Sequence, residues 1–233
     1  IRTRLVGSEM CIRDRSHSAV FSLIAVYATS MNFSILEVSI VTFLFAISGA
    51  ISQWPIGKLS DVLDRRIVII YTTFGAALFC FLAIISSGQM YMPAGLATSK
   101  LFFYICIMCF SFCSLPMFAL IFAHTNDFIP KEKFVAAGAG LQFVFGLGAI
   151  CGPFMCSLFM EFLGENGFFI FLIIFHSFIG LFGIYRMQIR ESGDNPDSQF
   201  APMPQTITPA GIELNPSTEP IDEPNNLNEF KKI

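Results

Sequence analysis

One charged run interrupts an otherwise greasy chain: Gly57-Lys58-Leu59-Ser60-Asp61-Val62-Leu63-Asp64-Arg65-Arg66. Its side chains suit the pairing of charges rather than the making of bonds. On a helix, Asp61 and Arg65 stand at i and i+4 with the acid on the N-terminal side. That is the favourable order for an ion pair, which contributes a few tenths of a kcal/mol when exposed. Asp61 can also face the positive N-terminus of a neighbouring helix. Gly57 is expected to end the preceding helix, since a residue without Cβ lets the chain turn and another helix approach. The plain alternative is a solvated loop.

A second polar group, His124-Thr125-Asn126-Asp127, precedes Pro130. Asn126 or Asp127 is expected to cap the helix that follows, and Asp127 to pair with Lys131 at i+4. Neither group has a nucleophile, a phosphate loop or paired carboxylates beside it, so a gate fits better than an enzyme. Of the seven cysteines, Cys11, Cys80, Cys106, Cys109, Cys113, Cys151 and Cys156, three (Cys106, Cys109, Cys113) share one helical face. A metal site there would need His or carboxylate partners, which that run lacks. The cysteines read as small packing residues, and no metal or cofactor is expected.

These residues are positioned by six apolar runs, at 16–32, 38–56, 67–87, 101–123, 134–160 and 167–187. A hydrocarbon core roughly 30 Å thick needs about 20 residues of helix. Between 134 and 160 there is no ionisable side chain other than cysteine. A soluble helix needs a polar face, and Phe79, Phe81 and Leu82, like Phe169, Ile170 and Phe171, leave no side of their helices wet. The predicted fold class is an all-α membrane protein with six transmembrane helices. Mean hydropathy is +0.66 with 28 Phe, even though a polar tail lowers the average.

That tail, 188–233, carries −5 and seven of the twelve prolines, while the rest of the chain carries +2. It cannot bury enough apolar surface to offset its chain entropy and is expected to be disordered. Residues 1–15 form neither a span nor an amphipathic face. The string RLVGSEMCIRDR within them resembles a translated sequencing-adaptor read, so they are set aside as a non-native leader. The domain reading is therefore a leader at 1–15, a helical unit at 16–187 and a tail at 188–233.

Lys58, Arg65, Arg66, Lys131, Lys133, Arg186 and Arg190 fall on one side of a six-helix zigzag. Glu37, Lys100, Glu161 and Glu165 fall on the other. The positive-inside tendency makes the Arg-rich side and the tail cytoplasmic.

The charged run resembles the G-x-x-x-D-(R/K)-x-G-x-(R/K) signature of major facilitator superfamily transporters, with Gly57, Asp61 and Arg66 matching. Val62 stands at its first basic position and Asp64 at its second glycine. The wider run from Gln53 to Arg66, and Ala123-His124-Thr125-Asn126-Asp127, are similar to the YcaD-like branch of that family. The resemblance covers 16–187 and implies the carboxy-terminal six-helix half of a twelve-helix bundle. Two such halves enclose a cavity at mid-depth and rock to expose it alternately. It further implies secondary transport of a small solute, a cytoplasmic gate at Gly57, Asp61, Arg65, Arg66 and Asp127, and a bacterial inner (plasma) membrane location. The expected partners are the bilayer, the solute and a missing amino-terminal six-helix half, with no nucleic acid. The missing start codon fits a reading frame that begins inside a longer gene.

By analogy with cavity-lining first and fourth helices, Tyr27, Asn32, Tyr104, Ser111 and Ser114 are candidates for solute contact, and Gln142 is added as a rare polar side chain in the fifth span. His176 is expected to be packed and neutral. Gly148 and Gly152 form a G-x-x-x-G pair beside Pro153, which reads either as a hinge between halves or as static close packing. No Asp, Glu, Lys or Arg lies at mid-span, so any proton coupling would fall to a span end such as Glu37 or Asp127, or to the absent half. The rival function is a complete six-helix membrane scaffold or sensor that transports nothing.

Overall fold

In the computed structural model the backbone is described for residues 2–86, 100–126 and 134–189, and the side chains for 16–86, 100–125 and 135–189. The expectations for Asp127, Lys131, Lys133, Cys11 and the tail lie outside the described residues. Among those described, the chain forms helices and no strands: α1 (Arg2–Ser30), α2 (Ile35–Val62), α3 (Arg65–Ser86), α4 (Lys100–Ser114), α5 (Met117–Asn126), α6 (Phe134–Leu163) and α7 (Gly167–Ile189). Five segments are long and apolar enough to cross a membrane: Ile35–Val62, Arg65–Ser86, Lys100–Thr125, Val135–Leu163 and Gly167–Ile189. The leader is helical backbone continuous with the first run.

Two sequence expectations change. Gly57 does not end a helix: α2 runs through it to Val62, and Gly57 is buried within the bundle. Ser60 Oγ donates to the Gly57 carbonyl at 2.7 Å, and the turn falls at Leu63 and Asp64. The fourth run, expected as one helix, is broken between α4 and α5 at Leu115 and Pro116. Proline has no N–H to continue the ladder, and its ring crowds the preceding turn. Hydrogen bonding resumes one turn later, where the Leu120 N–H donates to the Pro116 carbonyl at 3.0 Å.

Local chemistry sets the other ends. Asn32 takes a left-handed φ of 59°. The Phe33 N–H donates to Ala28 O at 3.1 Å and the Asn32 N–H to Thr29 O at 3.0 Å, the paired bonds of a Schellman stop. Ser34 and Glu37 then start α2 as a capping box. Gly164, at φ 68°, reverses the chain between α6 and α7, a conformation that a Cβ would penalise.

In the bundle α1 lies on α6, α3 on α7 and α4, and α2 on α4. Tyr27, Phe103, Phe168 and Phe169 form an aromatic cluster where α1 ends and α4 and α7 begin. Between lipid-soluble helices such close packing, rather than water exclusion, supplies the attraction. The segment Lys100–Thr125 is central, with 67% of its apolar window buried, against 28% for α2 and 17% for α6. One flank of both outer helices is left uncovered.

Candidate functional site

The charged run closes on itself at one end of the bundle. Arg65 Nη2 donates to Asp61 Oδ1 at 3.3 Å, joining the last turn of α2 to the first of α3. The Arg65 side chain is only 9% exposed and that of Asp61 34%, so the carboxylate faces outward and the guanidinium inward. Asp64, where the resembled signature has glycine, instead starts α3. Its Oδ1 accepts from the Arg66 N–H at 2.9 Å, and its two oxygens hold the Arg66 guanidinium, with Nη2 at 2.6 Å and Nε at 3.1 Å. No left-handed φ occurs there, so glycine is not required. The Arg66 guanidinium keeps the Asp64 carboxyl below the usual carboxylate range, although partial burial opposes it.

His124, at the end of α5, is buried within electrostatic reach of Arg186, Arg66, Asp64 and Arg65. The ends of α2, α3, α5 and α7 therefore meet in one cluster of charge. Arg186 belongs to it, although sequence reasoning assigned it only to a topological side. The signal available was its place in the last turn of a helix, where a cation complements the dipole.

The opposite end carries a second bridge. Lys100 Nζ pairs with Glu37 and lies 5.2 Å from the centre of the Phe33 ring, tying the start of α4 to the start of α2. Glu37 is thus both capping acid and ion-pair partner. The two ends sort the charges as the sequence suggested, arginines at one and the Glu37–Lys100 pair at the other.

The solute candidates do not converge. Tyr27 is 1% exposed inside the aromatic cluster, Asn32 is the exposed stop of α1, and Tyr104 sits edge-on to Phe33. Ser111 Oγ donates to the Phe45 carbonyl, and Ser48 Oγ returns a bond from α2 to Met108 O at 2.6 Å. On the same pair of helices a Cβ on Gly49 would meet Leu115 Cδ1 at 1.7 Å, so only glycine admits that leucine. Ser114 Oγ lies 3.1 Å from His176 Nε2, and His176 Nδ1 lies 2.8 Å from Leu172 O. A carbonyl only accepts, so Nδ1 carries the hydrogen, and Nε2 shares a hydrogen bond with the Ser114 hydroxyl. These hydroxyls are spent on helix packing. Sequence reasoning missed the Ser48 and Ser111 exchange, whose signal is small polar residues recurring on facing helices.

Gly148 and Gly152 are buried. Ser18 Oγ donates to Gly148 O at 3.1 Å, so this part of α6 rests on α1 of the same bundle. α6 continues through Pro153 without a break. Gln142 lies partly buried on α6, and its Oε1 is buried with no hydrogen-bond partner, as is that of Gln53 on α2. These two amides lie on the two least covered helices and leave acceptors open to a solute or a facing helix. The uncovered flank of α2 carries Phe43, Ile47, Ile51 and Trp54, and that of α6 carries Phe143, Leu147, Ile150 and Phe154. Each set recurs at three- and four-residue steps and makes one continuous stripe.

The sequence profile of the Major Facilitator Superfamily matches residues 15–221. An uncharacterized MFS-type transporter of Yersinia enterocolitica is 24% identical over 183 residues, covering 78% of this chain and 43% of its own length. The uncharacterized MFS-type transporter YfkF of Bacillus subtilis is 28% identical over 154 residues, covering 64% of this chain and 35% of its own. The chain spans less than half the length of these curated relatives.

Proposed function

This chain belongs to the major facilitator superfamily, and we propose that it acts as the carboxy-terminal six-helix half of a twelve-helix secondary transporter that moves a small solute by alternating access. The membrane and the transmembrane helices follow from the family and from the apolar segments. The observation that carries the rest is the pair of uncovered apolar stripes on α2 and α6, each with a buried, unpartnered glutamine oxygen beside it. Such a flank suits contact with a second six-helix unit around a cavity.

In this reading the Arg-rich end and the tail face the cytoplasm of a bacterial inner membrane. Asp61, Arg65 and Arg66, with Gly57 beneath them and Asp127 on the next connection, keep that end closed while the cavity opens outward. Gln142, joined by Gln53, replaces the hydroxyl candidates as the polar contact for solute. The DNA upstream of Ile1 tests the proposal. Six further spans with a second Gly-x-x-x-Asp turn in the same frame are expected, together with solute uptake by the joined product. A full-length product with only these helices, inactive in uptake, would leave a scaffold or sensor.

A further inference from the structure

The segment Lys100–Thr125 is broken at Leu115 and Pro116, between α4 and α5. A proline removes the backbone bond that would carry one helix into the next, so side chains must set the direction in which α5 leaves. The residues around the break each take hold of a different helix. Leu115 fills the notch left by Gly49 on α2. Met117, fully buried, lies with its Sδ 3.8 Å from Thr73 Oγ1 on α3. Ser114 reaches α7, its Oγ 3.1 Å from His176 Nε2.

Of these three contacts the last has the most exacting geometry. The His176 ring is 0% exposed, and its Nδ1 is held 2.8 Å from the Leu172 carbonyl of its own helix. That bond fixes the orientation of the ring and leaves Nε2 to meet α4. The ring also packs against Phe110, one turn before Ser114, with centres 5.6 Å apart and planes at 69°. One side chain of α7 thus grips the last turn of α4 at both of its ends. We propose that His176 is a positioning residue: through Ser114 it sets the direction of α5 and so holds His124 among Arg65, Arg66 and Arg186. His124 is buried beside those arginines and lies ten residues beyond Ser114, about 15 Å along a helix at 1.5 Å per residue. A swing of about 10° at the break would move it by roughly 2.6 Å over that length, enough to part paired groups. The inference rests on the reading of the Arg-rich end as a gate only for its consequence in transport.

Hydrogen exchange of the full chain in lipid nanodiscs, read by mass spectrometry, tests the assignment. Ser114→Ala and His176→Phe should each speed exchange of the amides at 120–126 by roughly five-fold, the worth of one buried hydrogen bond, with those at 101–110 unchanged. The double variant should match the single ones, since both remove the same bond. Ser114→Thr, which keeps a hydroxyl, should keep the slow rate. A residue that only stabilised the bundle would speed exchange along α3, α4 and α7 alike. Unchanged exchange at 120–126 in Ser114→Ala, or a rise shared by 101–110, would overturn the role. In a full-length transporter the same variants should speed thiol labelling of a cysteine at Leu59 from the Arg-rich side. Faster exchange at 120–126 with unaltered uptake would keep the positioning role and remove the gate instead.

Discussion

Asp64 binds Arg66 twice over, accepting its backbone N–H at 2.9 Å and holding its guanidinium between both carboxylate oxygens. The residue that stands at the signature's second glycine is therefore the cap of α3. Asp64→Gly restores the signature's second glycine but removes the cap and the pair, and should destabilise the protein by up to about 1 kcal/mol, a few tenths for a cap replaced by glycine plus the usual worth of a surface pair. Thermal unfolding in detergent measures it. An unchanged or raised midpoint would contradict the capping role.

The same pair sets a pH dependence. The folded Asp64 carboxyl is depressed by Arg66, so its contribution is fully present above the ordinary carboxylate value of about 4. It is lost as pH falls through the lower folded value. The stability difference between the native chain and Asp64→Asn should shrink as pH drops below about 4. A difference that stays constant down to pH 2 would contradict the assignment.

Asp61→Asn removes a charged partner of a nearly buried guanidinium. The loss should be about 1 kcal/mol or more, above that of an exposed helical pair and below that of a fully buried one. In a full-length transporter, thiol reagents added from the Arg-rich side should then reach a cysteine at Leu59 faster. Unchanged labelling with intact transport would make the run a solvated turn.

Gly148→Leu should force α1 from α6 and break the Ser18 bond, an overpacking loss of about 1–3 kcal/mol. Membrane abundance and thermal stability should fall together. Lost uptake at normal stability would instead support a hinge.

Cysteine at Ser198 tests the orientation. Impermeant thiol reagents should label it in inverted vesicles and leave it unlabelled in intact cells, and the reverse would turn the molecule over.

Most of the helices were legible because long apolar runs leave a chain few other structures in lipid. Where reading failed, a short-range rule met a longer-range one. Gly57 signalled a stop, yet Ser60 and the residues to Val62 carry the helix past it. Pro116 sat inside an apolar run, and hydropathy does not register the missing N–H. Ser111 and Ser114 resembled solute ligands because a sequence does not show that Phe45 O and His176 already engage them. The charged cluster was half visible: Asp61 and Arg65 are neighbours by helical spacing, whereas His124 and Arg186 reach them only through the packing of α5 and α7.

The central claim is that the α2 and α6 stripes face a second half across a cavity that opens alternately. In a cysteine-free full-length transporter, a single cysteine at Ile51 should react with a water-soluble thiol reagent from one side of the membrane at rest, and from the other when solute shifts the population. Reaction only with a lipid-soluble reagent, with and without solute, would contradict it, since Ile51 would then face the bilayer.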